Sequence, residues 1–540
     1  MLLNMKTALL FCFLGLLIMF HPAVFSGFKM MQTDPGDTRF INYCLEHSYL
    51  WLKTPFSLEL WSPNFFFPAK NVLAYSDVVL GVTPFYAVWR AFGLGPEASF
   101  HAWMLSVSAL NFFVFFWFLK TWFTKDSFAA AMGSFLFAFA ASKINLLGHQ
   151  QMLSAFYPVL ALQGLGYLLS AQNADMSFKK KTLCSGLFVG SGILQLYSGY
   201  YYAWFLAFAL LLAFLWSLVF RATRETVVSA IKRNWLSLGM AVAVGGLAVF
   251  PLVYHYLSAV SVVGLRKFET ITDWLPPIQA WFHMGDWSLS YWWLKKLKIF
   301  RMIVMEHEQR LGFGFISLVL VVIGLYRNRQ RQIIRIGVLT ALTMMILFTQ
   351  HKGHSLLGYV YHIIPGAAGL RVYSRVALFF LILHGIGFAL YFSGLKLRRK
   401  AFAFTTLLVL LTVAEQLVRT PAFEWKQISR EVVELGKRLD PACESFIYTP
   451  VISNKSFGFS WKHQLDAMWV ALEKGVPTWN GHSGNGPPGW PFLEIVIANK
   501  SDEERLNWAV NFWGEKHGLI KTKYCRLKPE ADEITKAAEI

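Results

Sequence analysis

The sequence predicts an α-helical polytopic membrane protein with a small C-terminal α/β domain outside the membrane. Of its 540 residues, 55% are hydrophobic and only 15% are charged, whereas a soluble domain carries about a quarter charged residues. Lys and Arg (50) outnumber Asp and Glu (31), and this basic excess lies within residues 1–420. A soluble enzyme is therefore excluded, and a basic excess confined to the apolar part requires no nucleic acid partner.

About 11 apolar runs have the roughly 17–25 residues that a bilayer crossing needs. They lie near residues 8–27, 98–119, 127–146, 152–171, 182–198, 201–220, 235–257, 311–326, 333–350, 375–394 and 401–418. A shorter run at 78–92 contains Pro84 and Arg90. If this run does not cross the membrane, all basic clusters between the predicted spans face the cytoplasm. The positive-inside rule requires this orientation. We therefore expect 78–92 to be an interfacial or re-entrant helix inside a long outer loop.

This orientation predicts a multi-pass protein with a cytoplasmic N-terminus. The transmembrane body comprises residues 1–419 and includes an outer loop, 28–97, that contains interfacial helices; residues 420–540 form the extracytoplasmic domain. The first apolar run could also be a cleaved signal peptide, because Lys6 precedes it and small residues follow it. Cys443 and Cys525 would share an oxidising compartment, and the sequence leaves their pairing open.

Acidic residues are scarce in the transmembrane body, so those that open the first outer loop are candidates for catalysis. Asp34, Asp37, Arg39 and Glu46 lie within a few helical turns of one another. A carboxylate between lipid and water is well placed to act as a general base on a hydroxyl. In the competing interpretation, which composition alone favours, Asp34 caps a helix and Asp37 pairs with Arg39.

Further candidate binding residues lie near the outer ends of the predicted spans and of the interfacial run. Asp77 precedes the interfacial run, where an N-cap role is equally reasonable. His149 and Gln150 follow the third span, where the chain turns back. Arg371 and Arg375 are one helical turn apart, and two guanidinium groups on one face suit a lipid phosphate. The alternative for this pair is contact with ordinary lipid headgroups.

Taken together, these features resemble the GT-C superfamily of membrane glycosyltransferases, and more closely its bacterial YfhO-like type. The stretches that carry the resemblance are PGDTRFINYCLEHS, GHQQ, IPGAAGLRVYSRVALFF and ALEKGVPTWNGHSGNGPPGW. The resemblance implies an inverting transfer from a polyprenyl-phosphate sugar, with Asp37 as the base and Asp34 in reserve. Arg371 and Arg375 would hold the donor phosphate, although Tyr373 stands where the family pattern has Pro.

The resemblance also implies partners and a location. The acceptor would be a cell-envelope glycan, lipid or protein, and the enzyme would lie among lipids of the cytoplasmic (inner) membrane. The residues that would support acceptor binding are Asp34, Arg39, Glu46, Asp77, His149 and Gln150, with Trp479, Asn480, His482 and Trp490 in the tail. We expect no cofactor, since His149 stands where an acid often occurs and no ligand-spaced motif supports a divalent metal.

A rival hypothesis is a non-catalytic transporter, flippase or assembly protein for a lipid-linked glycan. Such a protein would use the same basic and aromatic surfaces, but a transporter also needs a polar path through the bilayer. Acidic residues are nearly absent from the middle of the predicted spans. This scarcity favours the glycosyltransferase over the transporter.

Overall fold

The structure, a computed structural model, describes residues 2–54, 58–173, 175–394, 399–449, 460–492 and 500–527. The chain divides into two compact units. Unit 1 comprises Met1–Phe25, Ala102–Phe250 and Leu265–Pro421, and unit 2 comprises Ser26–His101, Pro251–Gly264 and Ala422–Ile540. Residues 422–540 thus share a unit with residues 26–101, an association that the sequence did not predict.

Helices dominate the described part of the chain. In chain order they are α1 (Leu2–Met19), α2 (His21–Phe25), α3 (Pro35–Lys53), α4 (Thr83–Ala91), α5 (Pro96–Trp122), α6 (Ser127–Phe139), α7 (Ala141–Asn145), α8 (Phe156–Leu169), α9 (Phe178–Ser198), α10 (Tyr200–Val219), α11 (Arg221–Val263), α12 (Lys298–Arg301), α13 (Phe315–Arg327), α14 (Gln332–Phe348), α15 (Leu357–Val360), α16 (Val376–Ser393), α17 (Arg399–Glu415), α18 (Trp425–Lys437), α19 (Ser460–Lys474) and α20 (Lys500–Lys516).

The described strands are short and form two-stranded pairs. They are β1 (Met30–Gln32), β2 (Gln350–His351), β3 (His354–Ser355), β4 (Ala422–Glu424), β5 (Ser445–Tyr448) and β6 (Tyr524–Leu527). Strands β1 and β4 pair antiparallel, as do β2 and β3, whereas β5 and β6 are parallel. The strands therefore fasten loops together and do not build an extended sheet.

Each predicted apolar run coincides with a helix. By length and composition, six helical segments of the described chain can cross a bilayer, and four shorter apolar helices accompany them. The six are Pro96–Trp122, Ser127–Asn145, Gln150–Leu169, Tyr200–Val219, Arg221–Val263 and Tyr373–Ser393. The helical, membrane-protein character of the runs is confirmed, and the count of about 11 crossings stays a prediction.

Helix α4 occupies the run that the sequence left ambiguous. It has nine residues, which at 1.5 Å per residue give about 13 Å, far less than the roughly 30 Å of a bilayer core. Pro84 fits its first turn, where no backbone N–H is needed. The N-cap is Val82 and not Asp77, so the expected capping role of Asp77 on this helix is wrong.

Glycines allow the helices of unit 1 to approach closely. A Cβ on Gly133 of α6 would lie 2.5 Å from the carbonyl oxygen of Gly385 in α16. A Cβ on Gly324 of α13 would lie 2.0 Å from the carbonyl oxygen of Gly387, also in α16. Small residues are what permit such backbone-to-backbone packing in membranes. Helix α16 therefore lies between α6 and α13.

Unit 2 joins the first outer loop to the tail. Strand β1 pairs with β4 at the start of the tail, and α3 packs against α19. Within the tail, Ile447, Trp479 and Trp513 belong to one buried apolar cluster. A disulfide between Cys443 and Cys525 fastens β6 to the turn before β5, which answers the pairing question that the sequence left open.

Candidate functional site

Helix α3 positions the two candidate aspartates in unit 2. Asp34 is the N-cap, and its Oδ1 accepts a hydrogen bond from the backbone N–H of Gly36 at 2.8 Å. Pro35 occupies the first helical turn, which is a favoured position for proline. The cap fixes the start of the helix and thereby places Asp37 in its first turn. The capping interpretation of Asp34 is therefore confirmed.

Asp37 lies beside a histidine from the tail. Its Oδ1 is 3.6 Å from Nε2 of His482, and the two side chains are 38% and 21% exposed, respectively. Phe40, one turn further along α3, packs edge-on against the His482 ring with the ring centroids 5.7 Å apart. The carboxylate of Asp37 therefore has an imidazole as a neighbour at the start of α3.

Arg39 points to a different partner. Its Nη2 donates to Oδ1 of Asp466 in α19 at 2.7 Å, and both side chains are almost completely buried. Successive helical residues are about 100° apart, so Asp37 and Arg39 project about 200° apart around α3. Arg39 therefore ties α3 to α19, in place of the pairing with Asp37 that the competing interpretation expected.

Glu46 and Asp77 are buried in unit 2. Glu46 accepts two hydrogen bonds from the guanidinium of Arg90, both at 2.9 Å, and a third from the hydroxyl of Tyr86 at 2.6 Å. These bonds hold α4 against α3. Asp77 lies close to Cys44: burial raises the pKa of that thiol, and the charge of Asp77 raises it further. Both acids thus occupy structural positions.

In unit 1, His149 and Arg375 converge on Glu308, an acid that sequence reasoning did not select. Nη2 of Arg375 donates to Oε1 of Glu308 at 2.5 Å, and Nε donates to Oε2 at 3.2 Å. Nε2 of His149 lies 2.9 Å from the same Oε1. The side chains of Glu308 and Arg375 are almost completely buried. We refer to His149, Glu308 and Arg375 as the Glu308 cluster.

The electrostatics of the Glu308 cluster favour a permanent negative charge on the acid. Burial alone would raise the pKa of Glu308, but the charges and hydrogen bonds of Arg375 and His149 outweigh it and hold the pKa well below its ordinary value. Glu308 ends the segment MEHE (residues 305–308), and nothing local in that segment identifies partners far along the chain. The buried acid was therefore missed.

The two arginines proposed for the donor phosphate lie in different surroundings. Arg371 is exposed, and its guanidinium carbon lies 4.8 Å from the centre of the Trp274 ring. The Tyr201 hydroxyl accepts from the backbone N–H of Arg371 at 3.3 Å. Arg375 is directed into the protein towards Glu308. The structure thus leaves the guanidinium of Arg371 accessible, whereas that of Arg375 already binds a carboxylate.

Other predicted residues are mainly structural. Gln150 is buried. In the tail, Trp479 and Asn480 are buried as well, and the Asn480 amide bonds to the backbone of Tyr448 through both its oxygen (2.7 Å) and its nitrogen (3.0 Å). Trp490 donates its indole N–H to the carbonyl of Trp479 at 3.0 Å. Of the four tail residues, His482 is the one that lies beside Asp37.

One group in the described part of the chain has metal-ligand spacing. It consists of Asp440, Cys443 and Cys525. The disulfide between the two cysteines uses both sulfur atoms, so no thiolate remains to bind an ion. This group does not fit a metal site, and the expectation that the protein works without a metal stays a prediction.

No protein-family model matches the sequence, and no curated protein matches it. The fold does match solved structures. One is the archaeal oligosaccharyltransferase AglB from Archaeoglobus fulgidus in complex with an inhibitory peptide and a dolichol-phosphate. The match has a TM-score of 0.51 and 13% sequence identity, and it covers 94% of this chain and 68% of AglB. The apo form of the Archaeoglobus fulgidus oligosaccharyltransferase matches with a TM-score of 0.52 and 12% identity, over the same shares. AglB is a GT-C glycosyltransferase, and the chain has its fold.

Proposed function

We propose that the protein is a membrane glycosyltransferase of the bacterial YfhO-like type. It transfers a sugar, with inversion, from a polyprenyl-phosphate donor to a cell-envelope glycan, lipid or protein outside the cytoplasmic membrane. The GT-C fold and the apolar helices support this class of enzyme. Because nucleotide sugars are confined to the cytoplasm, a transferase that faces outward needs a sugar donor carried by a lipid.

The observation that carries the proposal is the accessibility of Asp37. Its carboxylate is 38% exposed in the first turn of α3, and Nε2 of His482 lies 3.6 Å away. Of the acids that the sequence nominated, Glu46 and Asp77 are buried and Asp34 caps the helix. Asp37 is therefore the best placed of the four to receive a proton from a bound acceptor hydroxyl.

In the proposed reaction, the acceptor oxygen attacks the anomeric carbon of the donor sugar on the face opposite to the phosphate. A bond forms between the acceptor oxygen and this carbon, and the bond from the carbon to the phosphate oxygen breaks. Its electron pair leaves with the polyprenyl phosphate, and the proton of the acceptor hydroxyl passes to Asp37. General base catalysis of this kind contributes about 10²- to 10⁴-fold.

Arg371 is our first choice for a direct contact with the donor phosphate, because its exposed guanidinium can bind two phosphate oxygens. Arg375 acts as a positioning residue: it fixes Glu308, and Glu308 in turn holds the ring of His149. The dolichol-phosphate in the AglB complex supports a lipid phosphate as a ligand of this fold. We expect no metal to take part.

The proposal is tested in proteoliposomes that contain the full-length protein, radiolabelled polyprenyl-phosphate sugars and a membrane extract as the source of acceptor. The measurement is the label that moves from the lipid fraction into the acceptor fraction. Asp37→Asn should reduce transfer at least 100-fold, because the amide cannot take the proton. Covalent transfer also distinguishes a transferase from a flippase, which moves the intact donor between leaflets.

Asp34→Asn is the matched control. Asparagine caps a helix about as well as aspartate, so this variant should fold and retain transfer. Loss of transfer in Asp34→Asn with full transfer in Asp37→Asn would move the base to Asp34. If the wild-type protein transfers sugar from none of the polyprenyl-phosphate donors, the proposed function is wrong.

A further inference from the structure

Unit 2 contains a cleft that the proposed reaction does not use. It encloses about 130 Å³ and is lined by residues from the start of α3, the start of α5, α18 and α19. A protein cavity of about 150 Å³ is known to bind a molecule of benzene. The cleft is therefore large enough for one ring of a small organic ligand.

Two buried hydrogen-bond donors in the lining have no partner among the described residues. Arg39 is almost completely buried and uses Nη2 on Asp466, while its Nη1 makes no hydrogen bond. The indole nitrogen of Trp469 is also buried and without an acceptor. A buried donor without an acceptor is unfavourable, so a ligand that supplies oxygen atoms would stabilise both groups.

Acceptors lie in the same lining. Glu97 is at the start of α5, and its carboxylate accepts a hydrogen bond from the hydroxyl of Ser429 in α18. Glu473, near the end of α19, also lines the cleft. Carboxylates and unpaired donors on residues of the same lining favour a ligand that both donates and accepts hydrogen bonds. They disfavour an anion, because like charges repel.

Two tryptophans complete the lining. Trp425 stacks on Phe423 with the ring centroids 5.6 Å apart, and Trp469 packs edge-on against Tyr43 at 5.9 Å. These neighbours fix the orientation of the indole rings. The negatively polarised face of an indole attracts weakly positive C–H groups, which line the apolar face of a pyranose ring.

We propose that this cleft binds one uncharged pyranose unit of a glycan. Ring hydroxyls accept hydrogen bonds from Arg39 and Trp469 and donate to Glu97 and Glu473. Because Arg39 projects about 200° away from Asp37 around α3, the bound unit lies on a different face of this helix from the proposed base. Binding is independent of transfer chemistry, and only the identification of the glycan as the acceptor rests on the proposed function.

Saturation-transfer NMR on the detergent-solubilised full-length protein tests the proposal. The probes are the methyl glycosides of glucose, galactose and N-acetylglucosamine, with glucuronic acid and glucose 1-phosphate as anionic comparisons. We expect saturable signals on the ring protons of at least one neutral glycoside and weaker signals from the anions. Trp469→Phe keeps an aromatic ring but removes the donor, so it should weaken binding at least threefold.

The matched control is Trp508→Phe in α20, where the tryptophan is 61% exposed; this variant should bind like the wild type. Ser429→Trp fills the cleft and should abolish the saturation-transfer signal. An unchanged gel-filtration profile verifies that each variant is folded. Absence of saturable binding by every neutral glycoside, stronger binding of the anions, or equal binding by the Trp469 and Trp508 variants overturns the proposal. Asp37→Asn should bind normally, so a failure of sugar transfer leaves this proposal standing.

Discussion

Units 1 and 2 each contain a carboxylate paired with a histidine, and the two pairs differ in every physical respect. In the Glu308 cluster the carboxylate is almost completely buried and its partner atoms lie 2.5–3.2 Å away. In unit 2, Asp37 and His482 are 38% and 21% exposed and 3.6 Å apart. A carboxylate and a histidine therefore form a buried, closely bonded cluster in one unit and a partly exposed, wider pair in the other.

This difference distinguishes a carboxylate with a structural role, Glu308, from one that we propose to react, Asp37. Removing an ionised group from water is costly, and the cost is recovered only if every partner is well placed. Glu308 meets that condition, so its oxygens are occupied by protein donors. The Asp37 side chain is 38% exposed, so it retains contact with solvent. The comparison thus assigns anchoring to the Glu308 cluster and proton transfer to Asp37.

The largest effect that the comparison predicts is on stability. Glu308→Ala leaves the buried guanidinium of Arg375 without its carboxylate, and breaking a buried pair in this way costs about 3–5 kcal/mol. Asp37→Ala removes the partly exposed pair with His482, for which about 0–1 kcal/mol is expected. Thermal unfolding of both variants in detergent, followed by tryptophan fluorescence, measures the difference. Equal losses of stability would show that exposure does not separate the two sites.

The second prediction concerns the disulfide of unit 2 and its effect on resistance to proteolysis. The disulfide closes a loop of 82 residues, and removing such a cross-link costs about 2–4 kcal/mol. The Cys443→Ser/Cys525→Ser variant should therefore be cleaved faster by proteases within residues 422–540. Peptides from unit 1 should appear at an unchanged rate, and Cys184→Ser serves as the control. Faster cleavage throughout the chain would contradict a local role for the disulfide.

Acid should weaken unit 1 by protonating Glu306, which forms a partly buried ion pair with Arg310. Burial tends to raise the pKa of Glu306, but hydrogen bonds and charge from His283 and Arg310 outweigh it and lower the pKa from 4.5 to about 2. The unfolded chain therefore binds a proton at higher pH than the folded one, and stability falls as the pH drops from 4.5 towards 2. We expect a loss of roughly 1–2 kcal/mol by pH 3.

The measurement is the melting temperature between pH 6 and pH 3. Glu306→Gln cannot titrate, so it should be less stable than the wild type at pH 6 and should lose less stability on acidification. Asp175→Asn, at an exposed position in unit 1, provides the control. A wild-type melting temperature that does not change with pH would show that Glu306 is not held ionised by His283 and Arg310.

Local features of the fold were predictable, because their causes lie in adjacent residues. Apolar runs coincide with helices, and the Asp-Pro-Gly turn places Asp34 as the cap of α3. Partners from distant parts of the chain leave no such signal. Glu308 and Arg375 are 67 residues apart, and only the tertiary fold joins Asp37 to His482 or Arg39 to Asp466. The sequence could therefore nominate Asp37, His482, His149 and Arg375 one by one. It could not show which of them are partners, and it did not select Glu308.

His482 gives the smallest and most discriminating prediction. A partly exposed pair at 3.6 Å contributes at most about 1 kcal/mol, so His482→Gln should slow sugar transfer only about two- to fivefold. Its effect should also depend on salt, because exposed charges are screened. His354→Gln, at an exposed position in unit 1, should transfer sugar like the wild type. If His482→Gln instead lowers transfer as much as Asp37→Asn, the histidine takes part in proton transfer itself, and the pair acts as a coupled unit like the buried cluster.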